Sequence, residues 1–262
     1  MSRIFITGDC HGEYGRFGIE NFPQQEFLTR DDYVIVTGDF GYWNRSSEQE
    51  QWRNWLAQKS FTILFVDGNH ENFDMLSELP TEEWRGGKIH KIADNIFHLM
   101  RGQIFDIAEK KFFTMGGAAS HDIQDGILDP NAPDFLDEYR WMALRGAMFR
   151  VLRKSWWPEE MPSESDFEEA EINLSKFGNS VDYIVAHDCP DSVLDLLGGG
   201  MYTQNELTHW FEERIENKVQ FSGWFFGHHH ENRALGKHIC LYKDIVELET
   251  LEKHLAKHLT NR

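Results

Sequence analysis

The sequence predicts an α/β domain built around a parallel sheet, and three observations support this prediction. Short apolar runs at 3–7, 33–37 and 61–66 each end at a glycine or at Asp-Gly. Continuous apolar runs of this length are typical of strands that are buried on both faces of a parallel sheet. Between the second and third runs, tryptophan and leucine recur at helical spacing over 48–59. This order predicts a βαβ crossover with a right-handed connection.

Three further strands follow at 96–99, 103–107 and 111–115, separated by tight breaks, and their spacing predicts an antiparallel meander. The next segment, 119–165, contains two prolines in an irregular first part. Its second part predicts a helix through 135–153. We therefore expect a helical, cap-like insertion at this point in the domain.

The remaining predicted elements are one acidic amphipathic helix and four short strands, at 166–177, 181–186, 220–226, 239–242 and 245–248. The last two strands are expected to pair as a closing hairpin. No internal repeat or low-complexity linker interrupts the chain. The prediction is a single domain over 1–248, with the insertion at about 119–165 and a C-terminal helical tail at 249–262.

Composition limits the classes of function. The 262 residues include 44 acidic and 26 basic side chains, which gives a formal net charge of −18 and disfavours general binding of nucleic acid. A hydrophobic content of 40% and a charged content of 27% indicate a folded globule rather than a disordered chain. Neither a membrane-spanning run nor a signal-peptide core is evident. Three cysteines suit a reducing cytosol, so the expected location is cytoplasmic.

Five of the predicted strands end in polar residues of one chemical type. These strand ends are Gly8-Asp9-Cys10-His11-Gly12, Gly38-Asp39, Gly68-Asn69-His70-Glu71, His187-Asp188 and Gly227-His228-His229-His230. Because ligands bind beyond the carboxyl ends of strands in an open α/β sheet, we expect these loops to converge. A glycine before the polar residue permits a tight strand exit at positive φ. Imidazole and oxygen donors without a required thiolate suit Mn, Fe, Zn, Ni or Co.

Taken in order, the series Asp-x-His, Gly-Asp, Gly-Asn-His-Glu, His and Gly-His-x-His resembles the calcineurin-like metallophosphoesterase superfamily. The match runs from Gly8 to His230, and no motif is missing. Any one motif occurs by chance in many proteins, whereas all five in order form a specific signal. The resemblance implies a sandwich of two mixed β-sheets flanked by helices, with a helical insertion.

The resemblance also implies two divalent transition-metal ions, with Mn expected first. The implied ligands form two sets that share the carboxylate of Asp39: Asp9, His11 and His230 for one ion, and Asn69, His187 and His228 for the other. A hydroxide that bridges the two ions would attack the phosphoryl group. His70 would bind a phosphoryl oxygen or protonate the leaving group, and Glu71 would orient its ring. His229 is expected to point away from the metals.

One departure from the family concerns the substrate. The Ser/Thr protein phosphatase branch carries Asp-Arg-Gly shortly after the second motif, but this chain has Phe40-Gly41-Tyr42-Trp43-Asn44-Arg45 after Asp39. The chain resembles bacterial and phage members instead. Arg45 or Arg101 could bind substrate in place of the missing arginine. Without an evident arginine for a dianionic phosphate, a diester is slightly favoured over a monoester.

Two alternatives to hydrolysis of a small or medium phosphoester stay open. A non-catalytic scaffold of the same fold would bind a protein partner, although such a protein typically loses ligands. A nuclease of the same superfamily would need a local basic groove within an acidic chain.

Several other conspicuous side chains are expected to be structural. Cys10 and Cys189 are predicted to be small buried thiols. Trp141, Trp156 and Trp157 are predicted to belong to the core, and would form a cap able to stack on a base only if they were exposed.

Overall fold

The computed structural model describes residues 2–42 and 44–259, with side chains described as far as Ala256. Its strands are β1 (Ile4–Thr7), β2 (Tyr33–Val36), β3 (Thr62–Phe65), β4 (Thr81–Trp84), β5 (Gly87–Ala93), β6 (Ile96–Leu99), β7 (Gln103–Ile107), β8 (Lys110–Met115), β9 (Gly126–Leu128), β10 (Phe149–Val151), β11 (Tyr183–Ala186), β12 (Gly223–Phe226), β13 (Arg233–Leu235), β14 (His238–Cys240) and β15 (Val246–Glu247). Its α-helices are α1 (Ser47–Ala57), α2 (Phe73–Ser77), α3 (Phe135–Leu144), α4 (Glu164–Lys176), α5 (Asp191–Gly198), α6 (Glu206–Trp210) and α7 (Leu248–Leu259).

Two mixed sheets face each other and are flanked by helices, which confirms the predicted fold class. The first sheet has the order β15-β1-β2-β3-β6-β5-β4, and the second has the order β13-β14-β12-β11-β8-β7. The pairs from β1 to β6 in the first sheet and from β14 to β8 in the second are parallel, whereas the inner strand β5 pairs antiparallel with β6. Antiparallel strands form the edges. Each sheet therefore directs the carboxyl ends of its central strands toward one edge of the sandwich.

Alternation along the strands explains why the apolar runs are continuous. In β1, Ile4 and Ile6 pack into the core between the two sheets, while Phe5 packs against helices on the outer face. Helix α7 also contributes to the inner core through Leu251 and Leu255. The predicted C-terminal tail is thus packed against the sandwich as far as it is described, and 260–262 lie outside the described residues.

Local capping explains where two of the helices begin. The Ser46 side chain accepts a hydrogen bond from the Gln49 backbone N–H at the start of α1. Ser163 and Asp166 form a reciprocal capping box at the start of α4, two residues before its predicted start. These side chains satisfy backbone donors that have no partner inside the helix.

Two predicted strand pairings are wrong. The meander at 96–115 is divided, because β6 pairs with β3 and β5 in the first sheet while β7 and β8 pair in the second. The closing hairpin does not form either. β14 lies beside β12, and β15 pairs with β1 in the opposite sheet. Apolar periodicity identified the strands but carried no information about which sheet each one joins.

We call the segment 119–165 the inserted unit, and it contains a small βαβ motif. β9 and β10 pair in parallel, and α3 connects them. The helix predicted through 135–153 ends at Leu144, because Gly146 adopts a φ of +66° and the chain then extends as β10. Trp157 is buried as predicted, whereas Trp141 is 57% exposed.

Among the helices in the described ranges, none has the length and apolar composition needed to cross a bilayer.

Candidate metal centre

Five loops from both sheets meet at one edge of the sandwich. They follow β1, β2 and β3 in the first sheet and β11 and β12 in the second. Side chains from all five loops approach one another, and the described residues in question are Asp9, His11, Asp39, Asn69, His187, His228 and His230. The predicted convergence of these strand ends therefore occurs in the structure.

One group of donors contains Asp9, His11 and His230. The Nε2 atoms of the two histidines lie 2.8 Å apart, and His230 Nε2 lies 3.2 Å from Asp9 Oδ2. Candidate ligand atoms of all three side chains lie within 4.8 Å of one another, so the group could hold a metal ion.

A second group surrounds Asp39. Its Oδ2 lies 3.4 Å from His187 Nε2, and the same ring nitrogen lies 3.3 Å from Asn69 Oδ1. Asp39 Oδ2 also lies 3.7 Å from His11 Nδ1, which belongs to the first group. Asp39 thus stands between the two groups, where one carboxylate can serve both.

His228 is attached to the first group through its backbone. Its N–H donates to both carboxylate oxygens of Asp9 at 3.1 Å. Its ring lies 5.0 Å from that of His187, and the buried Nε2 has no hydrogen-bond partner among the described residues. A buried imidazole nitrogen without a partner needs explanation, and coordination of a cation would supply one.

Backbone geometry at the cluster differs from the sequence prediction. Of the four glycines that precede the polar residues, Gly8, Gly38, Gly68 and Gly227, only Gly38 adopts a positive φ. Four of the candidate ligands themselves adopt φ between 46° and 66°, namely His11, Asp39, His228 and His230. Strained residues of this kind persist where the surrounding structure holds them, typically at functional sites.

Two of the glycines allow a side chain from another loop to approach closely, and they do not adopt a positive φ. A Cβ atom on Gly68 would lie 2.0 Å from Asp39 Oδ1, and one on Gly227 would lie 2.1 Å from Asp9 Oδ1. Both glycines therefore leave room for a candidate ligand carboxylate from another loop.

Charge in the cluster is unevenly distributed. Burial opposes ionisation of Asp39, but the nearby His187 ring outweighs this effect and lowers the pKa of the carboxyl group. For His187, burial lowers the pKa and Asp39 raises it, with a net increase to about 10. Burial also holds the pKa of His228 well below its usual value. The buried carboxylate thus requires positive charge, which protonated imidazole supplies in the chain alone and divalent cations can supply instead.

His70 lies beside the cluster. Its backbone N–H donates to Asp39 Oδ1 at 2.8 Å, and its ring centroid lies 5.4 Å from that of His11. Burial lowers the pKa of the His70 ring. The side chain of Glu71 accepts backbone N–H bonds from the loop after β2, from Phe40 at 2.6 Å and from Tyr42 at 2.9 Å. These contacts tie Glu71 to that loop, a role that the sequence did not predict for it.

His229 and the two cysteines next to candidate ligands lie in buried surroundings. His229 Nε2 lies 3.1 Å from Asp188 Oδ1, and its ring is turned into the protein. Burial raises the pKa of the Cys10 thiol to about 12 and that of the Cys189 thiol well above its usual value. Both thiols are buried, which agrees with their expected role as small buried side chains.

Neither arginine named from the sequence lines the cavities beside the cluster, as far as the described residues show. Arg45 pairs with Glu78 on the exposed surface. The Arg101 side chain is largely buried, at 10% exposed, and donates to Asp67 through Nε at 2.8 Å and to the Glu159 carbonyl at 2.8 Å. Arg45 therefore forms a surface ion pair, whereas Arg101 helps to attach the inserted unit to the rest of the fold.

The cavity beside the cluster has a volume of 630 Å³. Its lining combines histidines of the cluster with side chains from the inserted unit, namely His11, His70, His230, Asp122, Arg150 and Lys154. A second cavity of 280 Å³ adds His121 and Tyr202. None of the strand-end motifs in the sequence points to these additional residues. One feature of the sequence could have indicated the position of Arg150. Gly146 is a helix-ending residue, so it predicts that α3 stops before it and that 149–151 are extended.

A two-sheet α/β sandwich with nitrogen and oxygen donors clustered at the carboxyl edge of its strands belongs to a class of proteins that bind divalent metals. The model of the calcineurin-like phosphoesterase family matches residues 2–232, and the chain belongs to that family. Together, the family and the donor groups support a metal-dependent phosphoesterase.

Other comparisons contribute little. No curated protein matches the chain significantly in sequence. One similar solved structure is that of a protein of unknown function from Aquifex aeolicus, with 11% identity over 97% of this chain and 100% of that chain, and a TM-score of 0.37.

Proposed function

We propose that this protein is a dinuclear metal-dependent phosphoesterase that hydrolyses a small or medium phosphoester. The observation that carries the proposal is the position of Asp39 between the two donor groups, 3.4 Å from His187 Nε2 and 3.7 Å from His11 Nδ1. Two cations at close range repel each other, and a shared carboxylate offsets that repulsion.

The residues fit such a centre. In the proposal, one ion is held by Asp9, His11 and His230, and the other by Asn69, His187 and His228, with Asp39 shared. Nε2 of His228 has no hydrogen-bond partner within the described ranges, which supports its place as a ligand. Oxygen and imidazole donors suit Mn, and also Fe, Zn, Ni or Co. When bound, the ions would supply a nucleophilic water at neutral pH and would polarise the phosphoryl oxygens.

The chain's own residues have three tasks in this reaction. His70 lies at the mouth of the cluster, where its ring could donate a proton to the leaving group or a hydrogen bond to a phosphoryl oxygen. Such a transfer is typically worth about 10²- to 10⁴-fold in rate. Glu71 fixes the loop that carries Asp39 through its backbone contacts. The walls of the 630 Å³ cavity orient the rest of the ester and limit its size.

The experiment is a metal titration combined with a phosphoester screen. The protein is stripped and reloaded with Mn, Ni, Co, Fe or Zn, its metal content is measured by elemental analysis, and turnover of chromogenic mono- and diesters is recorded. We expect two equivalents of metal and turnover with at least one ion. Inactivity on both ester types with every metal would contradict the proposal, and less than one equivalent of bound metal would favour the scaffold alternative.

An Asp39→Asn variant provides the matched control. Asparagine keeps the size of the side chain but removes the charge that the two cations would share. We expect turnover to be abolished and the metal content to fall below two equivalents. Full activity in this variant would remove Asp39 from the centre and refute the two-metal assignment.

A further inference from the structure

The inserted unit places an arginine beside His70. Arg150 lies in β10, and its Nη2 atom is 3.5 Å from His70 Nε2. Its side chain is only 25% exposed. A diester is favoured over a monoester only while no arginine stands near the phosphoryl site, so the position of Arg150 bears directly on the choice of substrate.

Asp122 holds the guanidinium group of Arg150 from one side. Arg150 Nε donates to Asp122 Oδ1 at 2.9 Å, and Nη2 donates to Asp122 Oδ2. A guanidinium group has five N–H donors in a fixed plane, and this pair uses two of them. The second Nη2 donor faces His70 Nε2, so the two Nη1 donors remain for a ligand in the cavity that Arg150 shares with His11, His70 and His230.

The geometry also permits Arg150 and His70 to act on one group. Arg150 Nη2 lies within hydrogen-bond distance of His70 Nε2, so a phosphoryl oxygen that accepts from Arg150 lies next to the His70 ring. The cavity further contains Lys154 from the same inserted unit. This part of an acidic protein therefore presents cationic donors toward the space next to the candidate metal centre.

We propose that Arg150 binds the phosphoryl group of the substrate next to His70, and that the substrate is a phosphate monoester. This inference rests on the proposed function. A monoester presents three terminal oxygens and nearly two negative charges, so an oxygen remains for a guanidinium group in addition to those that the metal centre takes. A diester has two terminal oxygens and one charge. Arginine matches phosphate oxygens with paired N–H donors better than lysine does.

The experiment compares Arg150→Gln with a matched control on two substrates. Arg145→Gln is the control because Arg145 also belongs to the inserted unit and pairs with an aspartate, Asp125, but lines neither cavity beside the cluster. Metal-loaded proteins are assayed with 4-nitrophenyl phosphate and bis(4-nitrophenyl) phosphate. We expect Arg150→Gln to lower kcat/KM for the monoester by about 10- to 100-fold, since hydrogen bonds to charged groups are of this strength. We expect less than about a threefold change for the diester, and no change for either ester in Arg145→Gln.

Arg150→Lys keeps a positive charge but loses the planar pair of donors. We expect its kcat/KM for the monoester to lie between those of the wild type and Arg150→Gln. An equal loss on both esters, or no loss on the monoester in a folded Arg150→Gln variant, would overturn the inference. Folding of each variant is checked by its melting temperature.

A binding measurement separates this inference from the proposed function. Inorganic phosphate is titrated calorimetrically into the metal-loaded wild type, Arg150→Gln and Arg145→Gln proteins. We expect about tenfold weaker binding in Arg150→Gln alone. Phosphate binding that depends on Arg150 in a protein without turnover would contradict only the proposed function, whereas equal phosphate binding in all three proteins would contradict the role of Arg150.

Discussion

The motif edge, which carries the five loops of the candidate metal centre, and the inserted unit lie on the same cavity but are built differently. At the motif edge, Asp9, Asp39 and His187 are at most 1% exposed and are fixed by contacts between loops. In the inserted unit, none of the side chains of α3 is buried, and Leu144 is 88% exposed. We infer from this difference that the motif edge holds its side chains in a fixed geometry for chemistry. The inserted unit is less constrained and serves substrate recognition.

The largest expected effect tests the chemistry of the motif edge. His70→Ala should lower turnover of the metal-loaded protein by about 10²- to 10⁴-fold, because it removes a proton donor. Its backbone N–H bond to Asp39 Oδ1 survives the substitution, so two equivalents of metal should remain bound. Turnover and elemental analysis of the same sample check both expectations. If the variant lost metal instead, His70 would be a ligand and its assignment would be wrong.

The next effect tests how the inserted unit is attached to the rest of the fold. Arg101→Met removes the guanidinium group that donates twice to Oδ2 of Asp67, which is 1% exposed, and among the side chains that the structure describes it leaves only His98 beside that carboxylate. It also removes the hydrogen bond to the Glu159 carbonyl. Removing one partner of a buried ion pair costs about 3–5 kcal/mol. We expect the free energy of unfolding, measured in urea, to fall by an amount in this range.

Arg45→Met is the matched control, since Arg45 and Glu78 are 67% and 59% exposed. An exposed pair contributes less than about 1 kcal/mol. If both variants lost the same free energy of unfolding, burial would not explain the difference between the two ion pairs. The contrast between a fixed and an exposed region would then fail.

The smallest effect concerns the outer face of α3. Leu144→Ser should change the free energy of unfolding by less than about 0.5 kcal/mol, because the side chain is already exposed to solvent. Leu174→Ser in α4, where the leucine is 2% exposed, should cost about 2–5 kcal/mol. Urea unfolding of both variants provides the measurement. A loss above about 1 kcal/mol in Leu144→Ser would mean that α3 is covered in solution.

Prediction from the sequence succeeded where the signal was local. Strands β1, β2 and β3 were found from apolar runs, and the strand-end motifs were found from residue type and order, because both are properties of a few adjacent residues. Strand pairing failed at β6 and β15, since an apolar strand does not encode which of two sheets it joins. The helix predicted through 135–153 failed because the turn at Gly146 outweighed the helical pattern.

The sequence by itself determined the α/β class, the order of the five motifs and the chemical type of donor at the strand ends, whereas the two-sheet sandwich was implied by the family resemblance that those motifs carry. Only the tertiary structure decided that Asp39 lies between two donor groups, that Arg101 is largely buried against Asp67, and that Arg150 reaches His70 across 80 positions of the chain. The physical reason is that residue type and periodicity act over a few residues. Distances between side chains on separate loops depend instead on how the two sheets pack and on where the inserted unit is anchored.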